Sequence, residues 1–311
     1  MKTVFLCSGQ GSQYPGMGKE LWEESAAARE VFQIASETLG FDLQTVCASS
    51  SEQELAKTEY AQPSVMAVSL AAAAAAKERG ILPQAVGGHS LGEYSALCLA
   101  GVLSLEDGFR VIRARARAMQ KAAEETPGQM TAIIGLPPER IEEICREIPG
   151  YLLPVNYNSP LQTVIAGEEK AMEQAVSVFE KEAKRVVRLK VSAAFHSKLM
   201  EPAAAELADA LSSIPFSKPA IPIYSNLNGN RFEPNACWSE LLCRHMTSPV
   251  LFTKELRSLR EDGYTAFVEL GPGKAVTGMV RKTLHGAVAC NVENSATLAA
   301  AEEKLLTKGE L

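Results

Sequence analysis

The chain has 311 residues, 46% of them hydrophobic, and a net charge of −6 from 31 Lys and Arg against 37 Asp and Glu. The composition is typical of a folded globular protein, and the acidic balance argues against a nucleic-acid-binding protein, which needs a basic surface. The longest largely apolar run, residues 65–76, is shorter than the roughly 20 residues that span a bilayer. Seven scattered cysteines without a C-x-x-C spacing indicate reduced thiols, so we expect a cytoplasmic protein without membrane segments.

The first part of the chain predicts strands and helices in alternation. Ser104, with Asp107 three residues later, resembles a capping box that starts the last of these helices. In chain order, the predicted elements are a strand at 3–7, helices at 19–39 and 62–79, a strand at 85–87, a helix that ends near residue 100, and a helix at 104–124.

The middle of the chain changes this order to β-α-β-β-α-β, which is typical of a ferredoxin-like unit. The predicted strands lie at 130–135, 153–157, 162–166 and 185–191, with helices at 138–148 and 168–183. We therefore predict a small subdomain at 126–191, inserted into a larger α/β subdomain made of 1–125 and 192–311.

Alternation then returns in the last third of the chain, which favours a mainly parallel sheet covered by helices. The predicted elements are strands at 221–225, 266–270 and 287–292, helices at 253–262 and 275–284, and a closing helix.

The strongest local motif is Gly88-His89-Ser90-Leu91-Gly92, which fits G-x-S-x-G between a predicted strand and a predicted helix. This spacing places a serine on a sharp turn whose crowded backbone tolerates only small neighbours. The motif therefore predicts that Ser90 is a nucleophile, with the N–H of Leu91 available to an oxyanion.

A serine nucleophile needs a base, and the chain has four histidines. His196 follows the predicted strand 185–191, at the carboxyl end where open α/β sheets place their sites, so it is the favoured base. His89 lies inside the motif and should point away from Ser90. His245 and His285 lie in polar helical sequence, where we expect solvated side chains.

Two glycine-containing turns could bind ligands in other ways. Gly9 and Gly11 begin the G-x-G-x-x-G dinucleotide pattern, but Tyr14 occupies the third glycine position and breaks it. The loop that contains Gln10 could instead supply the second oxyanion donor. The turn at 271–274 could bind an anion, but it lacks P-loop spacing, so a tight turn is favoured.

Arg115 differs from the other arginines of its predicted helix. At about 100° per residue, Arg110, Arg113 and Arg117 share one flank, while Arg115 lies opposite among small and apolar residues. An arginine in such surroundings needs an anion. That anion could be a structural carboxylate or a carboxylate of the substrate.

Together these motifs resemble the malonyl-CoA:acyl carrier protein transacylases of fatty-acid and polyketide synthesis. The resemblance covers nearly the whole chain and implies an α/β-hydrolase-like subdomain with a ferredoxin-like insertion. It rests on the segments Gly9-Gln10-Gly11-Ser12-Gln13, Gly88-His89-Ser90-Leu91-Gly92-Glu93, Arg115 with Met119-Gln120, Asn156-Tyr157-Asn158-Ser159-Pro160, Phe195-His196-Ser197 and Glu269-Leu270-Gly271-Pro272-Gly273-Lys274.

The resemblance also implies roles for individual residues. Ser90 would carry the acyl group, His196 would be its base, the N–H groups of Gln10 and Leu91 would form the oxyanion hole, and Arg115 would bind the malonyl carboxylate.

The resemblance assigns further residues to the substrate pocket. Asn156 and Asn158 would lie near the pantetheine arm, and Leu91 and Phe195 look like malonyl-selecting residues. Many bacterial relatives have glutamine where this chain has Leu251. Because the residue there orients the histidine in those relatives, we expect the carbonyl of Leu251 to accept the Nδ1 proton of His196.

The implied activity moves malonyl from malonyl-CoA, through a malonyl-serine, to the phosphopantetheine thiol of acyl carrier protein, without metal or cofactor. Two alternatives remain open. A thioester hydrolase of this fold would use the same Ser90 and His196, but it would gain nothing from a buried Arg115 if its acyl chains were uncharged. A non-enzymatic module that docks a carrier protein would not need Ser90 and His196.

Overall fold

The computed structural model describes residues 1–191 and 193–307. The strands in this part of the chain are β1 Thr3–Cys7, β2 Ala85–Gly88, β3 Gln129–Ile134, β4 Leu152–Ser159, β5 Gln162–Gly167, β6 Arg185–Arg188, β7 Ala266–Leu270 and β8 Val288–Val292. The helices are α1 Lys19–Glu24, α2 Ala26–Leu39, α3 Leu43–Ser49, α4 Glu52–Leu55, α5 Thr58–Glu78, α6 Gly92–Leu99, α7 Leu105–Glu125, α8 Pro138–Glu147, α9 Glu169–Glu182, α10 Glu201–Leu211, α11 Trp238–Thr247, α12 Phe252–Glu261, α13 Ala275–Thr283 and α14 Ser295–Glu302. A 3-10 turn lies at Lys198–Met200 and a π-helical turn at Glu303–Thr307.

The first sheet is parallel throughout, in the order β2-β1-β7-β8. Its strand β1 is buried along its whole length. Val4 and Leu6 face one hydrophobic cluster, while Phe5 faces the other. Helices therefore cover both faces of this sheet, as parallel sheets require.

The second sheet is antiparallel, in the order β4-β5-β3-β6. Helices α8 and α9 cover one face, where Ile141 and Phe179 pack with Ile133 and Ile165. The two sheets confirm the predicted α/β class with a ferredoxin-like unit. The strands of the second sheet lie inside 126–191, but the subdomain boundaries stay a prediction. Residues 192 and 308–311 of the predicted 192–311 range lie outside the described residues.

Two of the predicted elements differ from the structure. The predicted helix 19–39 is broken at Ser25, whose extended backbone and hydroxyl cap α2 by accepting a hydrogen bond from Ala28 N. The predicted strand 221–225 is wrong: its segment makes only isolated bridges, although it lies beside β2. Pro222 has no N–H to extend a ladder, which is why the pairing stays local.

Four short or medium helices, α3, α4, α10 and α11, were not among the predicted elements, although His245 of α11 was expected in helical sequence. In the described part of the chain, no helix is both long and apolar enough to cross a membrane.

Val250, which precedes α12, extends the pairing of the second sheet. Its N–H donates to Val155 O at 2.8 Å and its carbonyl accepts from Tyr157 N at 2.9 Å, so it pairs with β4 of the second sheet. A 2.7 Å contact between His89 Nε2 and Asn158 Oδ1 links β4 to the turn that follows β2.

Candidate active site

Ser90 lies on a sharp turn between β2 and α6. Its φ is +52°, a left-handed value that a non-glycine residue rarely adopts. A Cβ on Gly88 would collide with the backbone of Gly92, and a Cβ on Gly92 would collide with the carbonyl of Cys7. The two glycines are therefore required by close backbone packing, and this packing holds Ser90 in its strained conformation.

His196 lies opposite Ser90, as the sequence predicted. The distance between Ser90 Oγ and His196 Nε2 is 2.6 Å, across 106 positions of sequence. His196 is buried and also has a left-handed φ of +61°. Two residues with strained backbones thus face each other, which is typical of functional sites.

The other ring nitrogen of His196 is fixed by backbone. Nδ1 lies 3.0 Å from the carbonyl of His245 and 3.2 Å from that of Ser248. Because a carbonyl can only accept, Nδ1 carries the proton and Nε2 presents its lone pair to the Ser90 hydroxyl.

Burial, and after it the positive charge of Arg115, lower the pKa of His196 to about 3. The imidazole is therefore neutral near neutral pH, the state that a general base must have. The arrangement can deprotonate a serine hydroxyl.

Two sequence expectations about this region are wrong. His245 is fully buried rather than solvated. The carbonyl of Leu251 accepts from Glu255 N in the first turn of α12, so it does not orient His196. The orienting carbonyls belong to the end of α11 and the residue after it, because that helix ends against the histidine. His285, by contrast, is exposed as expected.

The loop after β1 packs directly on the serine turn. A Cβ on Gly9 would lie 2.7 Å from the carbonyl of His89. In the described part of the chain, the backbone N–H groups of Gln10 and Leu91 donate to no acceptor. Both N–H groups are therefore free to bind an acceptor, and their role in an oxyanion hole stays a prediction.

Arg115 is buried in α7, with 1% of its surface exposed. Its Nη1 donates to Gln62 Oε1 at 2.7 Å, and its guanidinium lies 4.9 Å above the Tyr94 ring. Gln62 in turn donates to Gln10 Oε1 at 3.3 Å, which links the arginine to the loop at the serine turn.

The Nε and Nη2 atoms of Arg115 have no hydrogen-bond partner among the described residues, and no carboxylate there forms a salt bridge with this arginine. Burial raises the pKa of Glu93 to about 8 despite the charge of Arg115, so Glu93 is largely protonated near neutral pH. Of the two anions considered from sequence, the structural carboxylate is missing from the described residues. A buried cation without an anionic partner is unfavourable, so the site is suited to an anionic ligand.

The remaining predicted pocket residues lie on β4, beside His196 and beside Asn226. Asn158 Oδ1 is 2.7 Å from His89 Nε2, and both Asn156 and Asn158 are buried in β4. Phe195 is buried next to His196. Leu251 is partly buried and donates its N–H to Asn226 O at 2.8 Å.

Sequence reasoning missed Asn226, a fully buried residue that bonds directly to the backbone of Ser90. It follows the segment 221–225, which had been predicted as a strand. The rule that selected His196, a polar residue after the carboxyl end of a strand, would have selected Asn226 too. Gln62, Glu93 and Glu255 were also given no role, although Glu93 lies within a segment that carries the resemblance.

Comparison with known proteins agrees with this geometry. A family model described as "Acyl transferase domain" matches residues 4–305. The malonyl CoA-acyl carrier protein transacylase of Bacillus subtilis is 39% identical over 285 residues, 90% of each chain.

Solved structures give the same result. The crystal structure of malonyl CoA-acyl carrier protein transacylase from Clostridium perfringens has a TM-score of 0.94 at 37% identity and covers 99% of this chain and 98% of its own. A malonyl-transacylase in complex with a type II PKS acyl-carrier protein has a TM-score of 0.93 at 36% identity. The match covers 97% of this chain and 99% of that one. The chain belongs to the acyl transferase domain family, within the group of malonyl CoA-acyl carrier protein transacylases.

Proposed function

We propose that the protein transfers a malonyl group from malonyl-CoA to the phosphopantetheine thiol of an acyl carrier protein. The observation that carries this proposal is the buried guanidinium of Arg115, whose Nε and Nη2 are unpartnered near a serine–histidine pair. The names of the relatives and the complex between a similar transacylase and its carrier protein support the same substrates.

Arg115 would select the malonyl group by its carboxylate. Nε–H and one N–H of Nη2 point from the same edge of a guanidinium, and they match the two oxygens of a carboxylate. Gln62 holds the opposite side through Nη1. The unpartnered edge is thus the edge that binds carboxylates in a bidentate pair.

In the first half-reaction, the Ser90 hydroxyl gives its proton to His196 Nε2 while Oγ bonds to the thioester carbonyl carbon. The N–H groups of Gln10 and Leu91 stabilise the oxyanion. Collapse of this intermediate breaks the C–S bond, and CoA leaves as a thiol after it takes the proton from His196. Ser90 then carries the malonyl ester.

The second half-reaction reverses these steps with another thiol. His196 takes the proton of the phosphopantetheine thiol, and the sulfur attacks the malonyl-serine carbonyl. The Ser90 oxygen leaves and recovers the proton from His196. Proton transfer and acyl exchange account for every step, so we propose that the reaction needs no metal and no cofactor beyond the substrates themselves.

The other predicted pocket residues would shape the binding site for the acyl group and the pantetheine arm. Asn156 and Asn158 would line the path of the pantetheine arm, Phe195 and Leu91 would limit the size of the acyl group, and Leu251 would contribute apolar surface. We place the reaction in the cytoplasm, since the seven cysteines are free thiols.

A thioester hydrolase is the alternative with the same machinery. It would pass the acyl group from Ser90 to water, and a buried unpaired Arg115 would penalise an uncharged acyl chain. A non-enzymatic docking module would not need a 2.6 Å contact between Ser90 and His196.

The test is intact-protein mass spectrometry after brief exposure to malonyl-CoA. We expect one malonyl adduct on the peptide that contains Ser90, none in Ser90→Ala, and an unchanged adduct in the control Ser213→Ala, which alters an exposed serine of the chain. Adding carrier protein with its phosphopantetheine should move the malonyl group to the carrier. Loss of the adduct to water at the same rate without carrier would favour the hydrolase.

A further inference from the structure

Asn226 holds both ends of the serine turn. Its Oδ1 accepts from the backbone N–H of Ser90 at 2.7 Å, and its Nδ2 donates to the carbonyl of Gly88 at 2.7 Å. Asn226 is fully buried, and it comes from a segment 136 positions away from Ser90. The side-chain amide of Asn226 therefore bridges Ser90, which has the left-handed φ, and Gly88, the last residue of β2.

The same amide also reaches the histidine side of the site. Asn226 Oδ1 lies 3.2 Å from His245 Nε2, and the carbonyl of His245 accepts from His196 Nδ1 at 3.0 Å. The rings of His245 and His196 are 5.2 Å apart. Asn226 is thus linked to the base through a single residue.

Hydrogen-bond chemistry fixes the protons in this network. The N–H of Ser90 can only donate, so the amide atom that faces it is the oxygen. His245 Nε2 faces the same oxygen and must carry a proton. Burial lowers the pKa of His245 well below its usual value, so His245 is neutral and its Nδ1 is unprotonated. The amide orientation and the His245 tautomer are therefore determined together.

Two buried carboxyl groups complete the surroundings of Asn226. Glu93 Oε2 accepts from the backbone N of Asn226 at 2.6 Å, and Glu255 Oε2 accepts from its Nδ2 at 2.6 Å. Burial raises the pKa of both carboxyls. The titratable and charged groups around the amide are Glu93 on α6, Glu255 on α12 and His245 on α11, with His196, His89 and Arg115 acting at longer range.

We propose that Asn226 is a positioning residue that sets the serine turn and, through His245, the carbonyl that orients His196. This role requires the N–H donor of an amide, which aspartate lacks although it has the same shape. Aspartate at this position would turn an N–H donor into an oxygen that faces the carbonyl of Gly88 and the carboxyl of Glu255. It could replace the donor only while protonated.

The test compares Asn226→Asp and Asn226→Ala with the control Asn228→Asp, which makes the same change at an exposed asparagine. Each variant is treated with malonyl-CoA and, separately, with a fluorophosphonate, which labels a reactive serine without needing Arg115. The inference rests on the proposed function only for the malonyl-CoA measurement. The fluorophosphonate measurement remains valid if the substrate is another thioester.

We expect Asn226→Ala to lower the rate of Ser90 acylation about ten- to hundredfold, since a buried bonding group is lost. The KM for malonyl-CoA should stay within about threefold, because Asn226 acts on the reacting groups rather than on the carboxylate. Asn226→Asp should recover part of the activity at acidic pH and lose it as pH rises, while Asn228→Asp behaves as the wild type.

Asn226→Asp that reacts at the wild-type rate between about pH 5.5 and 8.5 would overturn the proposal, because protonation of the new carboxyl would then not matter. So would a rate loss in Asn226→Ala that matches the unfolded fraction in a melting curve. A wild-type protein that reacts with the fluorophosphonate but not with malonyl-CoA would reject the proposed function instead, and the fluorophosphonate series would still decide the role of Asn226.

Discussion

Two strands of the parallel sheet, β2 and β7, lie on either side of β1. Each ends in a tight turn that leads into a helix, yet the two junctions differ in chemistry. At the end of β7, Glu269 accepts hydrogen bonds from the N–H groups of Val276 and Thr277 at 3.0 and 2.7 Å. Ser8 also donates to this carboxylate. The anion position at the start of α13 is thus filled by the protein itself, which agrees with the tight turn expected at 271–274.

At the end of β2, the polar groups are left open. Ser90 has a strained backbone, the N–H groups of Gln10 and Leu91 have no acceptor in the described chain, and Arg115 has two unpartnered nitrogens. The same strand–turn–helix geometry therefore serves two purposes. A junction becomes a binding site where its donors stay unsatisfied, and it stays structural where a side chain satisfies them.

Among substitutions near these two junctions, His196→Ala should have the largest effect on the rate of Ser90 acylation. Removing the base should slow Ser90 acylation by about 10²–10⁴-fold, the usual contribution of general-base catalysis. The control His285→Ala changes an exposed histidine and should react as the wild type.

The pH dependence of the wild-type acylation rate also tests the lowered pKa of His196. Because the pKa of His196 is lowered to about 3, the base of the free enzyme is largely unprotonated at pH values well above 3. The kcat/KM for acylation should show no loss attributable to a histidine of ordinary pKa near 6.5. A loss of activity centred near pH 6.5 that disappears in His196→Ala would contradict this assignment.

Arg115→Ala should have the next largest effect on the acylation rate. Its effect should differ between malonyl-CoA and acetyl-CoA. Losing one partner of a buried ion pair costs about 3–5 kcal/mol, so acylation by malonyl-CoA should fall by two to three orders of magnitude, as about 1.4 kcal/mol is tenfold. Acetyl-CoA should react at least as well as with the wild type, because the unpaired cation is gone. Arg115→Lys should restore only part of the malonyl activity, since lysine cannot form the bidentate pair.

Arg113→Ala is the matched control on the same helix, since Arg113 donates to the carbonyls of Thr38 and Leu39 instead. It should leave the ratio of malonyl to acetyl transfer unchanged. Equal loss of both substrates in a folded Arg115→Ala would mean that Arg115 is structural.

Glu269→Gln probes the satisfied junction at the end of β7. The amide nitrogen cannot accept from the N–H of Val276 or Thr277, so one buried donor loses its partner and stability should fall by about 1–3 kcal/mol. Acylation of the folded variant should stay within a few-fold of wild type. Denaturant unfolding and the malonyl-CoA assay measure the two effects, and a large activity loss with unchanged stability would remove the distinction between the junctions.

Leu251→Gln should have the smallest effect. The carbonyl of Leu251 belongs to the first turn of α12, and His196 is oriented by the carbonyls of His245 and Ser248. The acylation rate should therefore change by no more than a few-fold. A gain near a hundredfold, equal to about 2.7 kcal/mol of barrier, would show that an amide at this position acts on the pocket.

Local sequence determined much of this protein. Strands β1 and β7 were predicted to the residue, and Ser104 caps α7 by accepting from Asp107 N, as the capping pattern indicated. The serine turn was recognisable because backbone crowding permits only glycine at positions 88 and 92. Arg115 was recognisable because helical periodicity assigns each residue to a face. These are consequences of short-range sterics and periodicity.

Tertiary structure alone decided how the distant polar groups meet. The carbonyl that orients His196 comes from His245, which local composition had placed in solvent, and Asn226 contacts Ser90 across 136 positions. Val250 pairs with β4 through backbone bonds that any residue except proline could make. Backbone carbonyls and N–H groups carry no residue-specific signal, and a buried amide is selected by partners from other segments. Such contacts exist only once the chain has folded.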